Sequence, residues 1–137
     1  MNKLHSLAAC ATLFLCSVAN AATPSAPAYT PEQKAEILKV AEISGFSFGA
    51  TKAVLEACPT PNAQLVRYDA ALKKYKDKLG GYSFGVDAQK TYDNSYNKSK
   101  QEMAAKLMAA DKGPLCKEVG NSMEQLLQKL EIGRAHV

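Results

Sequence analysis

The sequence predicts an all-α protein: a small up-down four-helix bundle with one disulfide, following a signal peptide that is cleaved off. Three observations predict it. Apolar residues recur at three- and four-residue steps in four successive stretches. Pro and Gly pairs punctuate the chain between those stretches. Cys58 and Cys116 fall at the end of the first stretch and the start of the fourth, positions that share one pole of an up-down bundle.

Residues 1–21 read as a secretory signal: Lys3 in a short basic start, an apolar run from Leu7 to Val18, then Ala19-Asn20-Ala21 as a small-x-small cleavage site. The run falls short of the roughly 20 residues that a spanning helix needs. Membrane contact is therefore expected only through the signal peptide, and the expected location is periplasmic or secreted, by a bacterial Sec-type route. Leu7-Ala8-Ala9-Cys10 offers an alternative, a lipoprotein box lipidated at Cys10, but almost no apolar region lies upstream of it. Residues 22–29, with Pro24 and Pro27 and no amphipathic period, read as an extended linker.

The helical domain is expected over residues 30–130. Thr30-Pro31-Glu32-Gln33 supplies an N-cap, a first-turn Pro and the Gln of a capping box, so the first helix should run from Pro31 to about Ala57. Ile43, Phe46, Ala50, Ala53 and Ala57 share one face, and Leu38, Ala41, Phe48 and Leu55 widen the apolar surface well beyond a stripe. Cys58-Pro59 ends this helix, and Thr60-Pro61 repeats the cap pairing for the second. That helix, Pro61 to Leu79, places Leu65, Tyr68, Leu72, Tyr75 and Leu79 together and stops at Gly80-Gly81. The third pattern starts at Phe84 or Asp87 and reaches Lys112, with Tyr92, Tyr96, Met103 and Leu107 as its stripe. Its middle is rich in Asn and Ser, which are weak helix formers. Gly113 and Pro114 break the chain again before a fourth stripe of Leu115, Val119, Met123, Leu126 and Leu130.

Residues 131–137 stand apart from this pattern. Ile132-Gly133-Arg134-Ala135-His136-Val137 is the in-frame translation of a widely used short-read sequencing adapter, whose preceding bases complete a Glu codon at Glu131. The segment reads as an assembly artefact that truncates the fourth helix, the native gene running on past Leu130; the alternative is a genuine basic tail.

Removing both ends changes the chemistry on offer. The chain has two histidines, His5 and His136, one in the signal and one in the adapter-like tail. The remaining segment thus has no Ser-His-Asp or Cys-His machinery, no His-ligated zinc and no haem held by a proximal His. Cys10 and Cys16 leave with the signal, so Cys58 and Cys116 remain as an even pair in an exported chain, the setting of a disulfide. Mature acids are scattered and none sits in an apolar context, and neither a phosphate loop nor a Gly-x-Ser-x-Gly elbow is present. A non-enzyme without metal or cofactor is expected. A net charge of +4 is a mild Lys excess rather than a nucleic-acid footprint.

Six tyrosines and no tryptophan direct attention to the second and third helices. Tyr75, Lys76, Tyr82, Tyr92 and Tyr96 combine rigid aromatic area with charge and form the candidate binding surface; the alternative places the tyrosines at the core boundary. Lys73, Lys74, Lys76 and Lys78 either attract an anionic partner or simply complement the negative end of the helix dipole. Gly45-Phe46-Ser47-Phe48-Gly49 and Gly81-Tyr82-Ser83-Phe84-Gly85 echo each other. They are paired aromatic surfaces, GxxxG-like close contacts between helices, or, most simply, core phenylalanines in one case and a turn in the other.

The layout of signal, helical domain and one long-range disulfide is similar to small proteobacterial periplasmic proteins and to helical immunity proteins that neutralise secreted toxins. The similarity is one of architecture alone. It points to a small exported protein that binds another macromolecule, with a protein partner in the periplasm, as an inhibitor, immunity or accessory factor. The alternative is a carrier or sensor of a lipid-like ligand held between the helices.

Overall fold

The computed structural model describes residues 28–133. The signal-peptide reading of 1–21, the Cys10 alternative, most of the 22–29 linker and positions 134–137 of the tail lie outside the described residues. Among the described residues there are four α-helices and no strand: α1 Pro31–Ala57, α2 Asn62–Leu79, α3 Gly85–Met108 and α4 Gly113–Glu131.

α1 starts as its sequence dictates. Gln33 donates its backbone N–H to Thr30 Oγ1 at 3.1 Å, and the Gln33 side chain accepts from the Thr30 N–H at 3.0 Å, closing a capping box. The next corner departs from expectation. Thr60 does not cap α2; its hydroxyl donates to the carbonyls of Leu55 at 2.8 Å and Cys58 at 3.3 Å. Carbonyls left open at the end of α1 compete successfully for that donor, and Pro61 takes the cap position of α2 without a side-chain bond. α3 ends at Met108 rather than Lys112, because Asp111 Oδ1 accepts from the Gly113 N–H at 3.1 Å and turns the chain. Gly113 and Pro114 then form the first turn of α4, where a missing N–H costs nothing.

The closest helix pair is α1 and α3, which are not consecutive. A Cβ on Gly45 would collide with the Tyr92 carbonyl, and one on Gly49 with the Tyr96 carbonyl, so the two backbones lie nearly in contact. Ser95 and Ser99 exploit that approach, donating their hydroxyls to the carbonyls of Glu42 at 2.6 Å and Phe46 at 2.5 Å, each across 53 residues of chain. The constant offset sets α1 and α3 side by side in register. It also explains the polar middle of α3: its serines are interhelical donors, not exposed filler. By contrast the consecutive pair α3 and α4 nowhere approach within 8 Å between Cα atoms. Short connections alone had pointed to neighbours in sequence order; glycine at the α1 surface overrides that rule.

α2 lies against α1 and α3, and α4 against α2 and α1. Leu55, Tyr68, Leu72, Met123 and Leu127 form one buried cluster towards the disulfide, and Ala41, Leu79, Ala88 and Tyr92 form a second towards the α2–α3 turn. Phe48 and Tyr96 pack against both and join them. Cys58 and Cys116 are bridged, with S–S 2.01 Å and Cα–Cα 5.4 Å. Lys52, only 9% exposed, sits on the buried side of α1 with its ammonium 2.6 Å from Asp69 of α2. Glu56, which Lys52 also faces at 3.9 Å, reaches Lys100 of α3 at 3.1 Å, so one charge network ties three helices.

The α1 stripe needs a correction. Ile43 and Phe46, read from spacing as one core face with Ala50, Ala53 and Ala57, are 55% and 52% exposed. Ala53 of that stripe is buried, as are Ala41 and Leu55 of the wider apolar surface, and Gly45, Gly49 and Lys52 complete the buried side. Apolar and polar residues alternate round α1 without one clear stripe, so periodicity could not choose its inner face, and the glycines chose it by allowing α3 to approach.

Tyr68 and Tyr92 provide a test with two signs. Tyr68 donates its hydroxyl to the Phe48 carbonyl at 2.9 Å, whereas the buried Tyr92 hydroxyl has no protein hydrogen-bond partner. Tyr92→Phe should therefore raise stability by about 1 kcal/mol and Tyr68→Phe lower it by about 1 kcal/mol. Paired urea melts read both; loss of stability in Tyr92→Phe would mean that its hydroxyl is satisfied.

Candidate functional site

Two of the concave surfaces among the described residues carry partly exposed apolar side chains. The first is a groove of about 310 Å³ where α1, α2 and the α2–α3 turn meet, floored by Ile37, Val40, Tyr75, Leu79 and Tyr82 with Glu36 and Lys78 at its rim. Tyr75 is held there by a 2.9 Å bond from its hydroxyl to Ser44 Oγ and by edge contact with Phe48, ring centroids 5.4 Å apart. Tyr82 stacks on Phe84 at 5.2 Å, and Tyr29 meets both rings edge-on at 5.5 and 5.6 Å. This aromatic knot seals the start of α1 against the turn, and Lys34 lies 5.6 Å over the Phe84 ring. Gly81 to Gly85 shape that turn, as the simplest reading of the glycine echo has it, but the other half of that reading fails: Phe46 stands outside the core, and Gly45 and Gly49 make the GxxxG-like close contact with α3.

The second surface is the outer side of α1 and α3. Phe46 stands half-exposed at the edge of a cleft of about 350 Å³ whose walls are Glu42, Thr91, Asn94, Lys98 and Glu102, and Ile43 lies one turn back on α1. Lys39 pairs with Glu42 at 3.3 Å. Among the described residues neither Lys98 nor Glu102 has an oppositely charged partner within 4.0 Å. An exposed aromatic beside an aliphatic, rimmed by both signs of charge, has the anatomy of an interface centre.

The five residues expected to form a binding surface are distributed otherwise. Tyr92 is 3% exposed and belongs to the core, which removes it from any surface. Tyr96 is half-buried, stacks on Tyr92 at 5.9 Å and joins the two clusters. Lys76 is committed to Asp93 of α3 at 2.7 Å. Only Tyr75 and Tyr82 line a shared cavity, and there they keep company with Ile37 and Val40, which the sequence reading did not single out. Burial pushes the phenols of Tyr68, Tyr75 and Tyr92 above the ordinary tyrosine value and that of Tyr96 up to about 12. These rings remain neutral at physiological pH and bring no phenolate to either surface.

Within the lysine cluster, Lys73 is paired with Asp77 at 2.8 Å and Lys76 with Asp93, so half of it is structural. Among the described residues no group of three or more His, Cys, Asp or Glu gathers as a metal site would. No described helix is long and apolar enough to cross a membrane. Phe46 was missed because its period matched a core stripe; the only signal that could have exposed it was the Gly45/Gly49 pair beside it, which marks a neighbouring face of α1 as the one in contact. Comparison of the chain with protein-family models, with curated proteins and with solved structures finds no match.

Proposed function

We propose that this is a small exported, non-enzymatic helical protein, its helices running up-down-up-down behind a cleaved signal peptide, that works by binding another macromolecule as an inhibitor, immunity or accessory factor. The observation that supports this reading best is the exposed Ile43–Phe46 pair. A phenylalanine half in water on a helix whose other sides are packed is an uncompensated apolar surface. Glu42, Lys98 and Glu102 around it supply a polar rim that a protein partner can match. Phe46 is the anchor in this reading and Ile43 its neighbour in the same contact.

The test compares Phe46→Asp with Val86→Asp, an equally apolar residue that is exposed elsewhere on the surface. A partner recovered with the wild-type protein from the exporting compartment should be retained about tenfold less well by Phe46→Asp and normally by Val86→Asp. Equal retention by both variants removes Phe46 from the interface. A single substitution of an Asp or Glu other than the rim residues Glu42 and Glu102 that abolishes function in a folded, disulfide-bonded protein removes the non-enzymatic reading itself. The carrier alternative retains one observation in its favour, the apolar groove under Tyr75 and Tyr82; organic extraction of the purified protein, with lipid identified by mass spectrometry, would support it.

A further inference from the structure

The walls around Phe46 carry a charge pattern that narrows what can lie against them. The cleft of about 350 Å³ and the shallower hollow beside it share Glu42, Phe46 and Ser95, and the ionisable side chains lining the two are Lys39, Glu42, Lys98 and Glu102. Two positive and two negative charges leave that face neutral in a chain whose formal charge is +4. A strongly acidic or basic partner gains no electrostatic attraction there, whereas a surface with the same balance can match it charge for charge. Lys39 and Glu42 are already paired with each other at 3.3 Å. Lys98 and Glu102 stand exposed one turn apart on α3, and among the described residues each is without an opposite charge within 4.0 Å.

We propose that the Ile43–Phe46 face is a self-association surface, covered by a second copy of this chain about a two-fold axis that crosses α3 between Lys98 and Glu102. The proposal rests on the reading of the Ile43–Phe46 pair as a contact surface and names the macromolecule that covers it. In a two-fold contact, a residue that meets a second residue on the other copy is met in turn by its counterpart. Two α3 helices laid antiparallel across this axis bring Lys98 of each copy beside Glu102 of the other. Two unpaired charges per chain thus become two ion pairs per dimer. Phe46 lines the same cleft as both charges, so the contact that forms the ion pairs also takes Phe46 of both copies out of water, with Ile43 one turn away. The apolar pair supplies the attraction, and the charges fix register and orientation.

Sedimentation equilibrium of the purified chain with its disulfide closed, at low salt and up to about 0.5 mM protein, reads the association. The expected result is a monomer–dimer equilibrium that Phe46→Asp abolishes and Val86→Asp leaves unchanged. Lys98→Glu and Glu102→Lys should each weaken dimerisation at least about tenfold, because symmetry places two like-charge contacts in every dimer. An equimolar mixture of these two variants should dimerise again: one chain then carries two acids at the contact and the other two lysines, which restores both ion pairs. A contact with any other protein gives no such rescue. A wild-type chain that stays monomeric over the whole range overturns the proposal, as does a dimer that survives Phe46→Asp or a mixture that associates no better than its components. A monomeric wild-type chain whose retention of a different protein still falls in Phe46→Asp leaves the contact surface standing and removes the second copy as its occupant.

Discussion

Gly49→Val should be the most damaging single substitution in the described chain. Its Cβ would land on the Tyr96 carbonyl, with the Tyr96 carbonyl carbon 2.9 Å and Cα 3.0 Å away, and backbone cannot rotate aside as a side chain can. α1 and α3 must separate, which breaks the Ser95 and Ser99 bonds to α1 carbonyls at the same time. Overpacking of this kind costs about 3 kcal/mol, and two lost hydrogen bonds add about 1 kcal/mol each. Gly120 is the matching control: nothing lies within 4 Å of a Cβ there, on the exposed side of α4. Gly120→Ala should stabilise by about 1 kcal/mol through helix propensity alone. Urea midpoints of the two variants should move in opposite directions. A Gly49→Val protein as stable as wild type would mean that α1 and α3 do not approach as described.

Opening the Cys58–Cys116 bridge should be nearly as costly. The bridge joins residues separated by 58 positions, and a loop of that size is stabilised by about 4 kcal/mol when closed, a large part of the roughly 5 to 15 kcal/mol of a small domain. It ties the end of α1 to the first turn of α4, the helix that touches only α1 and α2. In Cys58→Ser/Cys116→Ser protein, α4 should exchange its amide hydrogens well before α1 and α3 do. Equilibrium unfolding with and without reductant measures the effect, and a difference below about 1 kcal/mol would contradict it. Protein purified and unfolded without reductant should carry no free thiol at either position.

Local signals were legible wherever one residue decides a backbone hydrogen bond or a break. Thr30, Pro31 and Gln33 located the start of α1 to the residue, and the stripe Tyr68, Leu72 and Leu79 named the buried side of α2 correctly. The cysteine pair was legible because its two members belong at one pole. What could not be read is which helices touch. Ile43 and Phe46 satisfy a helical period as well as Ala41, Gly45 and Leu55 do, and only the partner helix decides between them. The Tyr surface failed for the same reason: Tyr92 sits on α3 at a spacing that suits either an interface or a core, and the approach of α1 put it inside. Lys52 was overlooked because burying an ammonium is worthwhile only with Asp69 in place, and that pairing is not visible along the chain.

The α1–α3 register has a consequence for the order of events during folding. Most helical bundles assemble from hairpins of adjacent helices, whose contacts are close in sequence and form early. Here the tightest interface joins segments 53 residues apart, so it can form only after a loop spanning all of α2 has closed. The search for that register is a long-range step, and in its rate the domain belongs with mixed folds of higher contact order rather than with fast hairpin bundles. Gly45 and Gly49, which permit the interface, contribute no side chain that could hold it while α3 is absent, so early helical hairpins receive little support from α1. The disulfide pole supplies what the glycines lack. Once Cys58 and Cys116 are joined, the unfolded chain is already a closed loop with α2 and α3 inside it, and α3 searches for its place on α1 within a much smaller volume.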